Sequence, residues 1–91
     1  MRIRTQDGKS SVDVNGMIIN IVTDPAESST QCAIVAEKLE TIKLQLLGIY
    51  SSEEKALKVL DMIQNAYMEG NEWLMAAGKV FVMPADDEVN V

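Results

Sequence analysis

The residues of this chain that could do chemistry are mainly carboxylates near its C-terminal end. From Asp61 onward there are six acidic side chains and a single basic one, Lys79. An acidic surface of this kind can steer a protein toward a basic groove and can imitate nucleic-acid phosphates. The same charges could instead serve only solubility. The residues predicted to contact a partner protein are Glu69, Glu72, Trp73, Met75, Asp86, Asp87 and Glu88.

A second candidate group is apolar and follows directly on the first acids. It consists of Trp73, Leu74 and Met75, together with Met68. Tryptophan and methionine are enriched in the cores of protein interfaces. These side chains could equally close a hydrophobic core over a sheet, and the sequence leaves both interpretations open.

Catalytic and metal chemistry find little support in the composition. The chain has no histidine, which removes imidazole as a general base, a triad member and a metal ligand. One cysteine cannot build a zinc cluster, and the five glycines lie singly rather than in a phosphate-binding loop. The acidic run at 86–88 lacks the ligand spacing of a calcium loop. The sequence therefore predicts a protein that is not an enzyme and binds no cofactor and no metal.

Length and net charge limit the partners that we expect. The 91 residues are enough for one domain, and the net charge is −6. An acidic chain repels the phosphate backbone, so nucleic-acid binding would need a local basic patch. Near the N-terminus only Arg2, Arg4 and Lys9 could form one. Direct contact with nucleic acid is thus the weakest of the binding hypotheses.

The single cysteine and the hydropathy pattern bear on location. Cys32 lies in an apolar run, so we expect a buried thiol rather than a disulfide, as in a reducing cytoplasm. The sequence shows neither a basic, apolar leader nor an apolar run near 18 residues. These features predict a cytoplasmic protein with no membrane contact.

The elements that must position these groups begin with one amphipathic helix. Ser51 is a suitable N-cap, and Glu54 three residues later completes a capping box. The apolar residues that follow recur at helical spacing and define a stripe that a sheet could cover. Gly70 is a natural residue to follow the helix, which is therefore predicted over 52–69. The stripe residues are Ala56, Leu60, Ile63 and Tyr67, flanked by Leu57, Val59, Met62 and Ala66.

The first 22 residues predict three short strands in a meander. The strands are expected over 1–5, 10–14 and 17–22. Asn15-Gly16 is a strong signal for a type I′ hairpin between the second and third strands. The third strand, Met-Ile-Ile-Asn-Ile-Val, is apolar on both faces and is therefore predicted to be central in the sheet.

Residues 31–48 support two interpretations. Cys32, Val35, Leu39, Ile42 and Leu46 recur at helical spacing, which favours a helix slightly. The same region also contains a continuous apolar run and a stretch that alternates at period two, as a strand pair would. Periodicity alone favours the helix slightly, and both interpretations stay open at this point.

Three stretches carry a resemblance to a known group of proteins. They are Arg-Ile-Arg-Thr-Gln-Asp-Gly-Lys at 2–9, the corner Leu-Gly-Ile-Tyr-Ser-Ser-Glu-Glu at 47–54, and Val-Phe-Val-Met-Pro-Ala-Asp-Asp-Glu-Val at 80–89. Together these stretches resemble short, mostly uncharacterised proteins encoded by phages and prophages of Gram-positive bacteria. The resemblance carries no catalytic motif. It implies a strand pair before the corner, with strands at 31–37 and 42–50 that turn at 38–41; the adjacent Leu46 and Leu47 predict a bulge near Gly48.

The C-terminal quarter predicts a short helix, a strand and a tail. The helix is possible over 72–77, and the strand over 79–83 should end before Pro84, which cannot donate to a ladder. Residues 85–91 are predicted to be a frayed acidic tail on a single domain of residues 1–84. The expected fold is α+β, with an antiparallel sheet of five to six strands and one main helix packed on one face.

Two functions compete on these observations. In the first, the chain is a small acidic binding protein of phage or prophage origin that covers a site on a host protein. The resemblance implies such a role, in the manner of anti-CRISPR and related inhibitors, and the target could be a nucleic-acid-binding nuclease. In the second, the protein associates with itself through Trp73 and exposed edge strands and serves a structural role.

Overall fold

The computed structural model describes residues 2–23, 31–38, 40, 43–69 and 80–91. Within these ranges the chain forms six strands, one α-helix and a single-turn 3-10 helix over Asp86–Glu88. The fold is α+β, as predicted. The elements in chain order are β1 (Arg2–Arg4), β2 (Ser11–Asp13), β3 (Met17–Thr23), β4 (Cys32–Lys38), β5 (Leu44–Tyr50), α1 (Glu53–Glu69) and β6 (Val80–Val82).

The strands are divided between two sheets, which the sequence did not predict. The first sheet has the order β2-β1-β6. Ile3 in β1 lies opposite Val12 in the antiparallel β2 and opposite Phe81 in the parallel β6. Ile3 is consequently fully buried. The prediction of one antiparallel sheet is wrong, because β6 returns to β1 in the parallel direction and leaves β3, β4 and β5 to form a sheet of their own.

The second sheet is antiparallel, with the order β3-β4-β5. Residues 31–48 are therefore largely a strand pair, and the helical alternative is wrong. The predicted bulge is confirmed, since Ile34 lies opposite Gly48 while the next residue, Val35, lies opposite Leu46. Leu47 is the extra residue, and its side chain is buried. The bulge thus places two neighbouring leucines on opposite faces of β5.

The Asn15-Gly16 turn connects the two sheets instead of forming a hairpin between β2 and β3. The Met17 N–H donates to the Val14 carbonyl at 3.0 Å, and the Asn15 N–H donates to the Asp13 carboxylate at 3.1 Å. Gly16 has a φ of 75°, whereas Asn15 does not have a positive φ. A type I′ hairpin needs a positive φ at both central residues. The predicted meander is therefore wrong, and β3 pairs with β4.

As a result, β3 is an edge strand and β4 is central. Met17, Ile19 and Ile21 pack against the core, whereas Ile18 and Val22 point away from it and are exposed. The prediction that β3 is central is wrong. Its apolar residues on both faces reflect one covered face and one open face rather than two covered ones.

Helix α1 runs from Glu53 to Glu69, as predicted to within one residue. Its cap lies one residue later than expected, because the Lys55 N–H donates to the Ser52 hydroxyl at 3.2 Å. Three of the predicted apolar residues, Ala56, Val59 and Ile63, are buried. The helix packs on the inner face of the second sheet. Three others, Leu57, Met62 and Tyr67, are at least one third exposed, as is Met68 near the end of the helix.

Several further predictions concern residues outside the described ranges or at the C-terminal end of the chain. Gly70 and the possible helix over 72–77 lie outside the described residues. The frayed tail is not what the structure has, since Val89 is only 5% exposed and belongs to the core. Burial of an apolar side chain so close to the end holds residues 85–91 against the domain. Cys32 is buried, as predicted.

Candidate functional site

The corner at Leu47–Tyr50 is the junction between the two sheets. The Gln6 backbone N–H donates to the Leu47 carbonyl at 2.8 Å. The Gln6 side-chain amide donates to the Ile49 carbonyl at 3.0 Å and accepts from the Ile49 N–H at 2.8 Å. Gln6 therefore satisfies the outer edge of β5 much as a neighbouring strand would. Nothing in the sequence signals this role, since Gln6 precedes an ordinary Asp-Gly turn.

Tyr50 anchors the same junction from inside the core. Its side chain is fully buried, and its hydroxyl donates to the Pro84 carbonyl at 2.8 Å. Burial raises the pKa of Tyr50 to about 12, with smaller contributions from Asp86 and Glu88. A Cβ at Gly48 would lie 3.2 Å from both the Tyr50 ring and the Gln6 Cβ, so this position is tightly enclosed. The corner thus has a structural role in joining the two sheets.

Asp86 fastens the C-terminal residues to the start of α1. Its carboxylate accepts from the Ser51 N–H at 2.8 Å and forms an ion pair with Lys55 at 3.4 Å. The hydrogen bond from the Ser51 N–H is the main reason that the pKa of Asp86 lies below its usual value, and Lys55 contributes less. Lys58 donates to the Asn90 carbonyl. Asp86 is therefore used within the fold, although the sequence suggested a partner-binding role.

Four exposed carboxylates surround this attachment, and we refer to them as the acidic corner. Two belong to the first turn of α1 and two to the 3-10 helix. Glu88 also accepts from the Ala85 N–H at 2.9 Å. Glu69 lies at the other end of the 17-residue helix, about 24 Å away at 1.5 Å per residue. Glu72, Trp73 and Met75 lie outside the described residues, so the predicted site is brought together only in part. The acidic corner consists of Glu53, Glu54, Asp87 and Glu88.

The face of the second sheet turned away from α1 carries an apolar surface that the sequence analysis missed. We call it the outer face. Asn20 and Glu37 are its polar members, with the Asn20 amide 3.4 Å from the Glu37 carboxylate. The signal in the sequence is that β3 is apolar on both faces, a pattern that predicts a central strand as readily as an exposed apolar face. Val35, opposite Asn20 and Leu46 on the same face, is only 8% exposed. Five large apolar side chains of the outer face are between 42% and 61% exposed, and they are Ile18, Val22, Leu44, Leu46 and Ile49.

An open groove of about 460 Å³ lies between β3 and the second half of α1. Its apolar wall includes Met17, Ile19, Leu60 and Ile63. Among the lining residues in the described part of the chain, Tyr67 alone carries a titratable side chain.

The basic cluster predicted near the N-terminus is partly engaged in contacts within the fold. Arg2 donates to the hydroxyl and the carbonyl of Ser11, each at 3.3 Å, so one of the three basic residues near the N-terminus is occupied by β2. Within the described ranges no three potential metal-ligating side chains come together. No helix in the same part of the chain has the length and hydropathy to cross a bilayer.

No protein-family model, no curated protein and no solved structure matches this chain.

Proposed function

We propose that this protein is a small non-enzymatic binding protein that attaches to another protein through the outer face. The observation that carries this proposal is the grouping of five large, exposed apolar side chains on one face of a sheet. Contiguous exposed apolar surface of this kind marks interaction sites in soluble proteins. The opposite face of the same sheet is already covered by α1 and supplies the core of the domain.

The charge distribution suggests the chemistry of the partner. Ile49 of the outer face lies two residues before Ser51. The Ser51 N–H donates to Asp86, so the acidic corner lies close to this end of the outer face. An apolar centre with a charged rim is the usual anatomy of a protein interface. The net charge of −6 favours a partner whose surface is basic.

The resemblance to phage and prophage proteins supports a host protein as the partner. Proteins that handle nucleic acid have basic grooves, so a nuclease of the CRISPR type fits the proposed chemistry. In this proposal the protein would inhibit its target by covering the groove, as anti-CRISPR proteins do. The pKa values of Tyr50 and Asp86 are shifted, and both groups make structural hydrogen bonds, which fits a non-enzymatic role.

The proposal can be tested by capture from a lysate of a Gram-positive host, with the bound proteins identified by mass spectrometry. The informative variant is Leu46→Lys on the outer face, and Leu57→Lys on α1 is its matched control. The two leucines are 46% and 47% exposed, and both changes add one positive charge. We expect one captured protein to disappear with the first variant and to remain with the second.

Salt and charge reversal test the rim separately. Capture should weaken at high ionic strength and with Glu53→Lys combined with Glu54→Lys, because exposed charges attract over distances that salt screens. Equal capture by the Leu46 and Leu57 variants would refute the outer face as the binding surface. Thermal melting of each variant, followed by circular dichroism, confirms that the fold is retained.

A further inference from the structure

The two edges of the second sheet differ in a way that the proposed function does not explain. The edge of β5 is covered by Gln6 at Leu47 and Ile49. Along β3, the backbone groups of 18–23 that point away from β4 have no hydrogen-bond partner among the residues that the structure describes. Unpaired backbone groups along an edge form a template for another strand.

The sequence of β3 lacks the features by which natural edge strands prevent such pairing. Its seven residues contain no charge, no proline and no glycine. Its register with β4 continues without a bulge from Met17 opposite Lys38 to Thr23 opposite Cys32. Short length, lysine, proline and bulges are the usual protections of an edge. β3 therefore presents a regular strand of ordinary length that is open to addition.

The order of side chains in β3 indicates which strand would fit. The sequence is nearly palindromic about its central residue, Asn20. Ile19 and Ile21, the immediate neighbours of Asn20, both point to the inner face. Asn20 itself points to the outer face, with Ile18 and Val22 at equivalent positions on either side of it. An interface with twofold symmetry must be complementary to itself, so that each residue meets its counterpart on an identical surface. A second β3, running antiparallel with Asn20 at the symmetry axis, meets this requirement.

We propose that two copies of this chain pair through β3, with Asn20 of one copy opposite Asn20 of the other. The two three-stranded sheets then become one continuous antiparallel sheet of six strands. Ile18 of each copy lies opposite Val22 of the other, and such apolar cross-strand pairs stabilise a sheet. Because the symmetry axis is perpendicular to the sheet, both helices lie on one side and the two outer faces join on the other.

Electrostatics separate this pairing from the binding of a basic host protein. The β3 edge carries no charge, whereas each copy has a net charge of −6. Two such copies repel one another at long range, and salt reduces that repulsion. Pairing through β3 should thus be unaffected or strengthened at high ionic strength, whereas the attraction to a basic partner should weaken.

Charge variants at Asn20 provide the test, because its side chain is exposed and would sit at the symmetry axis. The oligomeric state is measured by sedimentation equilibrium over a range of concentrations. We expect the unmodified chain to dimerise, and Asn20→Asp and Asn20→Lys each to be monomeric when alone, since like charges directly opposite one another destabilise a strand pair. An equimolar mixture should restore a dimer containing one copy of each, which native mass spectrometry identifies.

A cysteine variant gives a second readout that does not depend on charge. Residues directly opposite in an antiparallel pair have Cα atoms about 4.5–5.5 Å apart, which a disulfide can bridge. Asn20→Cys should therefore form a covalent dimer under mild oxidation. Leu46→Cys, also exposed but on β5, is the control that should stay monomeric on a non-reducing gel. The native Cys32 is buried.

Several results would overturn the proposal. Self-pairing is excluded if the chain remains monomeric at all concentrations. The same holds if β3 adds a strand from a host protein while the chain itself stays monomeric. A dimer that survives both charge variants, or a mixture that fails to restore it, excludes the Asn20 register. The Leu46→Lys variant separates this proposal from the proposed function, because it should lose the host partner and keep the dimer.

Discussion

The two edges of the β3-β4-β5 sheet are closed to different degrees and by different means. β5 is closed at Leu47 and Ile49 by three hydrogen bonds with Gln6, which lies in the turn between β1 and β2 of the other sheet. β3 receives no such cover from the described residues. The comparison shows that this fold protects an edge by joining its two sheets rather than by placing charges on the strand. The edge of β5 is thereby joined to the first sheet through Gln6, and we call this junction the seam. The edge of β3 is free for a second chain.

The largest expected loss of stability comes from overpacking the seam with Gly48→Val. A Cβ at this position would already lie 3.2 Å from Gln6 and Tyr50, and neither can move easily because both are hydrogen-bonded. Overpacking of this kind costs about 1–3 kcal/mol of unfolding free energy. Urea denaturation measures the loss. Gly8→Asn is the control, since the space around Gly8 is open and asparagine tolerates its positive φ; equal losses would contradict the tight seam.

The next effect tests the inner side of the seam with Tyr50→Phe. This change removes the hydrogen bond to the Pro84 carbonyl, which retains a contact from Gln6 at 3.3 Å. We expect a loss of about 1 kcal/mol at neutral pH, measured by urea denaturation.

The same variant carries a signature in alkaline solution. The pKa of Tyr50 is about 12 in the fold, against an ordinary value of 10.0. The unfolded chain releases this proton first, so the unfolding free energy should fall as the pH rises from 10 toward 12. The slope should be smaller in Tyr50→Phe, and an identical slope in both proteins would contradict the buried hydroxyl.

A change at Gln6 should make the two edges alike. Gln6→Ala removes both side-chain hydrogen bonds to Ile49, whose backbone groups can still reach water, so we expect a loss of about 0.5–1 kcal/mol. It also opens β5, so that a sheet with two free edges can extend at both ends. Sedimentation velocity should show species larger than the dimer. An unchanged distribution would mean that the bulge at Leu47 already blocks this edge.

The smallest effect concerns Asp86, which lies just beyond the seam. Its pKa is lowered chiefly by the Ser51 N–H, so its stabilising contribution is present above the ordinary value of 3.8 and is lost as the pH falls through the lowered pKa. Asp86→Asn should reduce the melting temperature slightly at neutral pH and flatten its decline in acid. Asp87→Asn is the control, because the Asp87 side chain is exposed. It should leave the decline of the melting temperature in acid unchanged.

The helix and the strand pair could be predicted because their signals are local. The capping serines, the spacing of Ala56 and Ile63, and the adjacent Leu46 and Leu47 all act within a few residues. The sheet order could not be predicted in this way. The pairing of β1 with β6 depends on contacts between the two ends of the domain, and no local pattern encodes it.

The candidate site was harder to predict for a related reason. An apolar residue such as Val22 has the same sequence signal whether its face is covered or exposed. The acidic residues were recognised by type, but sequence does not show that Asp86 is used by Ser51 and Lys55. Gln6 was missed because its partner, Ile49, is 43 residues away.

The parallel pairing of β1 with β6 also affects how the protein folds during its synthesis. Gln6 and the Pro84 carbonyl, which are in contact, are separated by 78 residues. At 5–20 residues per second, a ribosome needs roughly 4–16 s to travel between them. All strands of the second sheet and the whole of α1 have been translated before β6 exists. β1 and β2 therefore cannot complete their sheet until β6 has been made.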